Sequence, residues 1–263
     1  MMDLSQVSRT AILLLICRAV ESEKRNSDFK DPMAVLSLER LLSIASKEEK
    51  NWIIRHKRMY AGIHARDARA GVLKGRAFDH RADLFISNNP KCTVINLACG
   101  FDTRFWRIKN EKCKYVEIDL PEVIALKREI LKDHLGYELI GCSVLDTSWI
   151  DKVTLDGNTD FLLLAEGLFM WLPEQDATRL LQEIALRFDR SQLVLEMVPE
   201  KYTKGIWKSL LRLHSRLDWG LDVSWVFGIK HPRDIESYGN GLKFMGEEKG
   251  SVGPIITVSI NSA

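Results

Sequence analysis

At 263 residues the chain is long enough for one large domain, or for a domain with an appended cap, around a sizeable core. Its hydrophobic content of 46% and charged content of 28% are ordinary for a soluble globular protein. The 38 Lys and Arg residues nearly balance the 36 Asp and Glu residues, and a net charge of +2 gives no reason to expect a nucleic acid or an anionic membrane as partner.

The cysteines and the apolar runs indicate the compartment. Five cysteines are scattered without a CxxC pair or histidines at zinc-binding spacing, so we expect reduced thiols and no metal site. The longest apolar run, residues 11–17, is far shorter than the roughly 20 residues that cross a bilayer, and no basic segment or cleavage site frames it. We therefore expect a cytoplasmic protein.

Residues 3–70 have the apolar spacing that predicts helices. Asp31-Pro32 is a suitable start for one of them, because aspartate caps a helix and proline tolerates its first turn. The polar stretch 21–30 is a predicted loop. We expect residues 1–90 to form an N-terminal helical cap packed on the core.

From Thr93 onwards, short apolar runs alternate with amphipathic segments. The predicted strands are residues 93–97, 115–118, 138–141, 161–165 and 192–197, with helices beginning near Pro121, near Asp146 and at Pro173. Near-continuous apolar strands predict a parallel sheet covered on both faces. After a helical stretch over 203–217, residues 243–247 and 255–260 predict a closing antiparallel pair. The expected fold class is a doubly wound, mostly parallel α/β sheet in residues 91–263, with a cap insertion near 200–240.

The turn after the first strand is the first candidate ligand site. In an open α/β sheet, ligands bind beyond the carboxyl ends of the strands, where the strand order reverses. Gly100 and the small Ala98 let the backbone turn sharply and approach a ligand, and Asp102 or Thr103 is placed to cap the next helix. The alternative is a tight turn that binds nothing.

Asp119 adds a second element to this site. It follows Gly100 by nineteen residues, the separation at which an acidic residue hydrogen-bonds the ribose of a nucleotide. Its two oxygens match two vicinal hydroxyls. A dinucleotide site needs the three glycines of GxGxxG, whereas this turn has Gly100 alone, so we do not expect a pyrophosphate here.

Two more carboxylates follow the next strands. Asp146 comes after the third strand, where it can accept a hydrogen bond from an adenine amino group; the alternative is a helix N-cap. Glu166, followed by Gly167, ends the buried fourth strand. A carboxylate there suits a cationic ligand, such as the aminoacyl end or the sulfonium of S-adenosylmethionine, and a surface acid is the alternative.

Five segments, residues 31–34, 75–79, 96–104, 117–121 and 166–173, carry a further pattern. In order and spacing they resemble the leucine carboxyl methyltransferase family, with its bacterial polyketide O-methyltransferase branch. The resemblance implies a Rossmann-like methyltransferase that uses S-adenosyl-L-methionine and releases S-adenosyl-L-homocysteine. Where relatives have Gly-Ala-Gly or Gly-x-Gly in the turn, this chain has Ala98-Cys99-Gly100.

The resemblance also implies roles for matching positions. Arg76 would hold the methionine carboxylate of the cofactor, as a guanidinium can with two hydrogen bonds, and Glu166 would lie near the methionine amino group. Asp119 would bind the ribose and Asp146 the adenine. The residues that we expect to contact the cofactor are Arg76, Ala98, Cys99, Gly100, Asp119, Leu120, Asp146, Thr147, Glu166 and Gly167.

The methyl acceptor is less defined. Methyl transfer from a sulfonium needs alignment and exclusion of water; a carboxylate acceptor needs no base, whereas a phenol or alcohol does. The candidate bases His64, His214, His231 and Glu196 form no recognisable constellation, so no catalytic residue is assigned. The sequence therefore favours the carboxylate of a small aromatic or polyketide-like acid, as the resemblance does.

Other residues and functions remain open on the sequence alone. Trp207, Trp219 and Trp225 are candidates to line an acceptor pocket, and Arg212 and Arg216 to receive a carboxylate; packing of the cap and a solvated charged face are the alternatives. The alternative functions are a protein C-terminal carboxyl methyltransferase, an NAD-dependent oxidoreductase and a non-catalytic S-adenosylmethionine-binding protein.

Overall fold

The structure is a computed structural model that describes residues 6–108, 111–155, 157, 160–222 and 224–261. The first residues of the predicted helical region, 3–5, lie outside the described residues, as does Val223 within the predicted insertion. No helix in the described ranges is long and apolar enough to cross a membrane. The division of the chain at residue 90 stays a prediction.

In the described part of the chain, four helices precede the sheet: α1 (Gln6–Glu23), α2 (Pro32–Ile44), α3 (Lys47–Ala61) and α4 (Ala65–Asn88). α2 begins as predicted, because Asp31 Oδ1 accepts a hydrogen bond from the Ala34 N–H at 2.9 Å and Pro32 occupies the first turn. α1 continues three residues into the stretch that was predicted to be a loop, and ends at Glu23.

α4 extends well beyond residue 70, where the predicted helical region ends. Gly71 and Gly75 weaken its local helical signal. Phe78, Ala82 and Phe85 are buried against the sheet, and this packing outweighs the low propensity of the two glycines.

Among the described residues, seven strands form one sheet in the order β3-β2-β1-β4-β5-β7-β6. Strands β1 to β5 are parallel, and β7 pairs antiparallel with both β5 and β6. The strand order reverses between β1 and β4, which is where an open sheet offers its ligand crevice. The strands are β1 (Thr93–Leu97), β2 (Lys114–Asp119), β3 (Glu138–Gly141), β4 (Phe161–Ala165), β5 (Ser191–Glu196), β6 (Leu242–Lys249) and β7 (Pro254–Ile260).

Helices cover both faces of the sheet. Val94 and Leu162 pack towards α4, whereas the next residues along the same strands, Ile95 and Leu163, pack towards α6 and α7. Two-sided burial explains why the strands are apolar without alternation, and the predicted doubly wound class with an antiparallel C-terminal pair is confirmed. The remaining helices are α5 (Pro121–Leu131), α6 (Ser148–Thr154), α7 (Glu174–Arg187) and α8 (Gly205–His214).

Two local predictions are wrong. β1 is followed by a single 3-10 turn, Arg104–Trp106, and neither Asp102 nor Thr103 caps it with a side chain. The Asp102 carboxylate instead pairs with Arg104 and Arg107, at 2.7 and 3.1 Å.

The helical stretch predicted over 203–217 is divided into a 3-10 turn (Glu200–Thr203), α8 and a π-helical turn (Ser215–Trp219). Gly205, with a φ of 55°, separates the 3-10 turn from α8.

Candidate functional site

A cavity of about 560 Å³ lies beyond the carboxyl ends of β1, β2, β4 and β5, and residues of α1 and α4 and of the segment 214–225 close it. It therefore occupies the crevice that the strand order predicts. Of the ten residues expected to contact a cofactor, those that line the cavity are Ala98, Cys99, Gly100, Asp119, Leu120, Glu166 and Gly167.

The turn after β1 is held by the carboxylate of Asp119. The Gly100 N–H donates to Asp119 Oδ2 at 2.6 Å, and the Leu120 N–H donates to Oδ1 at 2.7 Å. Burial nevertheless raises the pKa of Asp119 above its ordinary value, although the two N–H groups act to lower it. Gly100 has a φ of 50°, and a Cβ there would lie 2.8 Å from the Cβ of Ala11 in α1, so only glycine fits.

Arg104 is the centre of a buried ion-pair network behind the cavity. Its guanidinium pairs with Asp79 at 2.7 Å, Asp102 at 2.7 Å and Glu166 at 2.6 Å, and its side chain is fully buried. Burial opposes the positive charge, but the three carboxylates raise the pKa of Arg104 above its ordinary value. The network fixes Glu166 at the end of β4.

Arg107 extends this network to the N-terminal helices. It pairs with Asp31 at 2.8 Å and with Asp79 at 2.7 Å, while Asp31 also caps α2. Four of the five segments that carry the family resemblance thus meet in one cluster, through Asp31, Asp79, Arg104 and Glu166.

Lys74, Glu166 and Glu196 form the charged part of the cavity wall. The Lys74 ammonium lies 3.0 Å from Glu196 Oε2 and 3.4 Å from Glu166 Oε1. Burial opposes the charge of Lys74, but Glu196 and Glu166 raise its pKa; burial also raises the pKa of Glu196. The Oε1 atoms of both glutamates are buried and accept no hydrogen bond from the described residues. A cationic ligand group would complete this wall.

The structure does not bring Arg76 to the cavity. Its side chain is nearly half exposed and pairs with Asp28 at 2.7 Å. Successive residues of an α-helix differ by about 100°, so Lys74 and Arg76 point about 200° apart, and Lys74 is the one that faces the cavity. The resemblance matches a sequence motif and does not resolve which of two neighbouring cations faces inward.

Asp146 and Thr147 also lie away from the cavity lining. The exposed Asp146 accepts a hydrogen bond from the Ser148 N–H at 3.1 Å, but it stands one residue before the N-cap position of α6, which Thr147 occupies without a side-chain cap. The loop before it faces the cavity instead, through Cys142, Ser143 and Val144.

Several acceptor-side candidates do meet at the cavity. His64, His214, Glu196, Trp219 and Trp225 line it. His231 and Trp207 do not. Arg212 and Arg216 bind the carboxylate of Asp222 at 2.5 and 2.7 Å and do not line the cavity.

Lys74, Arg104 and Asp67 were not selected from the sequence. Lys74 had a usable signal, because it stands four residues before Phe78 on the buried stripe of α4, where a lysine needs a partner. Asp67 had one too, since it follows His64 by three residues at the start of a helix. Arg104 had none, because its partners Asp79 and Glu166 are 25 and 62 residues away.

A seven-stranded sheet in this order, with an acidic crevice at the switch point, defines the class of Rossmann-like S-adenosylmethionine-dependent methyltransferases. The same fold occurs in an O-methyltransferase family protein from Burkholderia thailandensis, with a TM-score of 0.50 and 15% identity over 91% of this chain and 75% of that one. A Thermobifida fusca YX protein described as a methyltransferase has a TM-score of 0.56 at 15% identity, over 86% of this chain and 94% of that one.

The chain belongs to the leucine carboxyl methyltransferase family, whose sequence profile matches residues 11–185. It is 29% identical to the tetracenomycin polyketide synthesis O-methyltransferase TcmP of Streptomyces glaucescens, over 68% of this chain and 64% of that protein, so less than two thirds of that relative is matched. It is 23% identical to the S-adenosyl-L-methionine-dependent methyltransferase dpfgK of Gibberella zeae, over 92% of this chain and 81% of that protein. The predicted family is confirmed.

Proposed function

We propose that this chain is an O-methyltransferase for a small, largely apolar acceptor. The observation that carries the proposal is the pair of carboxylates, on Glu166 and Glu196, that line the cavity on either side of Lys74. They suit the ammonium group of the cofactor's amino-acid end, and Lys74 between them suits its carboxylate.

The charge of the whole cavity fits the same cofactor. Six carboxylates and two cations line it; Arg104 and Arg107 behind the wall offset Asp102 and Glu166, and the remaining lining favours a cation over an anion. When bound, S-adenosylmethionine supplies a methyl group on a positively charged sulfur. A dinucleotide would instead place a pyrophosphate among these carboxylates, which argues against the NAD-dependent alternative. The carboxylates are Asp67, Asp102, Asp119, Glu166, Glu196 and Asp218, and the cations are Arg18 and Lys74.

Asp119 is suited to the ribose. Each of its oxygens accepts one backbone N–H, and each keeps a lone pair for a hydroxyl group. Leu120 and the loop of Cys142, Ser143 and Val144 form the neighbouring wall and are the residues that we assign to the adenine, in place of Asp146.

The acceptor side is lined by apolar side chains, which is why we assign it a small apolar molecule. The relative with the longer and closer match, TcmP, is named for polyketide synthesis, whereas leucine carboxyl methyltransferase 1 of Rattus norvegicus matches 40% of this chain and 41% of its own length. This difference favours a small molecule over a protein C-terminus. The apolar residues include Leu13, Leu14, Met59, Met170, Trp171, Leu172, Trp219 and Trp225.

The carboxylate acceptor favoured by the sequence stays a prediction, and one of the two arguments for it no longer holds. It depended on the lack of a visible base, yet His64, His214 and Glu196 line the cavity.

Transfer of an isotope-labelled methyl group from S-adenosylmethionine tests the proposal. Aromatic and polyketide-like acids and phenols form one panel, and peptides ending in a leucine carboxylate form the other. We expect label in a small molecule and none in the peptides; a base-labile product is an ester and a base-stable product an ether. Label in peptides alone would favour the protein substrate, and cofactor binding without any transfer would favour the non-catalytic alternative.

A further inference from the structure

We propose that the cavity contains an acceptor subsite for a neutral hydroxyl compound, of the phenol class, in which His64 takes the hydroxyl proton. The subsite consists of Tyr60, His64, Asp67, His214 and Asp218, here called the two-histidine cluster. The inference rests on the proposed function and names its substrate class, replacing a carboxylate by a hydroxyl group.

The cluster holds two His-Asp pairs, and His64–Asp67 is the one with hydrogen-bond geometry. Nδ1 of His64 lies 2.9 Å from Asp67 Oδ2 in a hydrogen bond, whereas Nδ1 of His214 lies at the same distance from Asp218 Oδ2 as an ion pair only. A carboxylate that accepts from Nδ1 favours the tautomer with its proton there, which leaves a lone pair on Nε2. Among the described residues, no side chain or backbone group makes a hydrogen bond to Nε2 of His64. All four side chains line the cavity, and the hydrogen bond to Asp67 makes His64 the candidate base.

Tyr60 lines the same cavity as both pairs. Its ring makes an edge contact with the His64 ring, with 6.3 Å between centroids. Burial raises the pKa of Tyr60, so its hydroxyl group is neutral. Because all five side chains line one cavity, we treat them as one subsite.

α3 fixes the segment that carries the second pair. Trp52 Nε1 donates to the Trp219 carbonyl at 3.1 Å, and His56 Nε2 lies 3.2 Å from the Asp218 carbonyl oxygen. Burial lowers the pKa of His56, which keeps this ring neutral. The titratable groups around His64 are Tyr60 and His56 on α3, Asp67 on α4, and His214 and Asp218 on the segment opposite.

The charges of the cavity favour a neutral acceptor. Its two lining cations already have partners, since Lys74 pairs with Glu166 and Glu196, and Arg18 donates to the Phe101 carbonyl at 2.9 Å. No other lysine or arginine of the described residues lines the cavity. A carboxylate acceptor would meet six carboxylates against two cations in the cavity lining, whereas a phenol brings no charge.

The proton and electron balance is complete with the groups named. The O–H bond of the acceptor breaks and its proton moves to Nε2 of His64. The oxygen forms a bond to the methyl carbon while the S–C bond breaks, and that electron pair stays on sulfur, which becomes a neutral thioether. Asp67 stabilises the imidazolium, and the side chain of His64, which is 23% exposed, passes the proton to solvent.

The first test compares the binding of 2-naphthol and 2-naphthoate to the full chain with S-adenosylhomocysteine present. Quenching of the fluorescence of Trp171, Trp219 and Trp225, which line the cavity, reports occupancy. At pH 7.5 we expect 2-naphthol to bind at least about tenfold more tightly, because like charges repel the naphthoate. Equal or tighter binding of naphthoate, or binding of neither compound, would overturn the proposal.

The second test is the variant His64→Gln, with His80→Gln as the matched control because His80 is exposed on α4, the helix that follows His64, and lies outside the cavity. With 2-naphthol as acceptor we expect kcat to fall by about 100-fold or more in His64→Gln, because the variant removes the proton acceptor. Affinity for S-adenosylmethionine should be unchanged in both variants, which shows that the fold is intact.

Three results would overturn the assignment. His64→Gln could keep its kcat; His214→Gln could cause the loss instead; or the wild-type product could be a base-labile ester. Failure of the wild-type chain to bind S-adenosylmethionine is a different outcome, because it removes the proposed function and this inference with it.

Discussion

The guanidinium of Arg104 lies 2.6 Å from a carboxylate oxygen of Glu166, so the turn after β1 is tied directly to the end of β4. These are the two strands between which the strand order reverses. The pair therefore joins the two sides of the ligand crevice, and the other oxygen of Glu166 lies 3.4 Å from the Lys74 ammonium. The position of a cofactor-facing carboxylate thus depends on a side chain behind the site.

Replacement of Arg104 will destabilise the fold strongly. Arg104→Met leaves Asp79, Asp102 and Glu166 without this partner in a buried place, and breaking a buried ion pair costs about 3–5 kcal/mol. Urea unfolding measures the loss. The matched control is Arg179→Ala, whose side chain is 61% exposed beside Asp176 and whose loss should change stability by no more than about 0.5 kcal/mol. Equal effects of the two variants would contradict the central role of Arg104.

Acid will destabilise the fold through Asp102 and Glu166. Burial opposes their charge, but Arg104 with Arg107 lowers the pKa of Asp102, and Lys74 with Arg104 lowers that of Glu166. Depressed folded-state pKa values add stability that is fully present above the unfolded pKa of about 4 and is lost as the pH falls from about 5 downwards. Urea unfolding at pH 7, 5, 4 and 3 should show the decline; a constant free energy of unfolding down to pH 3 would refute it.

Lys74 and Arg76 should differ in their effect on cofactor affinity. Lys74→Met should weaken S-adenosylmethionine binding by tenfold or more, because a hydrogen bond to a charged group contributes about 1.5–3 kcal/mol. Arg76→Ala should leave the affinity unchanged, since Arg76 pairs with Asp28 outside the cavity. Isothermal titration calorimetry of both variants with S-adenosylmethionine measures the two affinities. The opposite order would restore the role that the family resemblance implies for Arg76.

Asp119 and Asp146 offer a second matched comparison. Asp119→Ala should weaken cofactor binding by tenfold or more, because it removes the ribose partner and frees the Gly100 turn. Asp146→Ala should leave the affinity unchanged, since the exposed Asp146 contacts only the start of α6 in the recorded hydrogen bonds. A loss of affinity in Asp146→Ala would return the adenine contact to Asp146.

Ala98 is strained, and glycine should relieve it. Its φ of 50° lies in the left-handed region, which costs an L-residue about 1–2 kcal/mol, so Ala98→Gly should raise the melting temperature by a few degrees. Arg190→Gly is the control, because Arg190 has a φ of 54° on the exposed surface and should show a similar gain without any change in cofactor affinity. A fall in melting temperature in both variants would contradict the strain.

Local patterns in the sequence were enough to predict most of the sheet. The bounds of β3 and β4 agree with the prediction to the residue, because short apolar runs between polar turns are a local property. Gly100 and Asp119 were also predictable, since a fixed separation along the chain places them at adjacent strand ends and the structure joins them by a 2.6 Å hydrogen bond.

Contacts between distant segments were not predictable. Glu166 was selected, but neither its partner Arg104 nor the shared lysine was, because ion pairs across 62 or more residues depend on the completed fold. Which of Lys74 and Arg76 faces the cavity depends on how α4 is turned about its axis. The predicted helical region ended at residue 70 and did not reach these two residues. Each His-Asp pair is local in the sequence, three or four residues apart, but only the fold shows that both line one cavity.

The measurement that tests the account most directly is a calorimetric titration of the wild-type chain with S-adenosylmethionine, S-adenosylhomocysteine and NAD, with Asp119→Ala alongside. The acidic cavity predicts binding of one S-adenosylmethionine per chain, more tightly than S-adenosylhomocysteine because only the former carries the sulfonium charge, and no binding of NAD. It also predicts weaker binding of both S-adenosylmethionine and S-adenosylhomocysteine, the two methyl-cycle ligands, to Asp119→Ala. Binding of NAD but of neither methyl-cycle ligand would contradict the account.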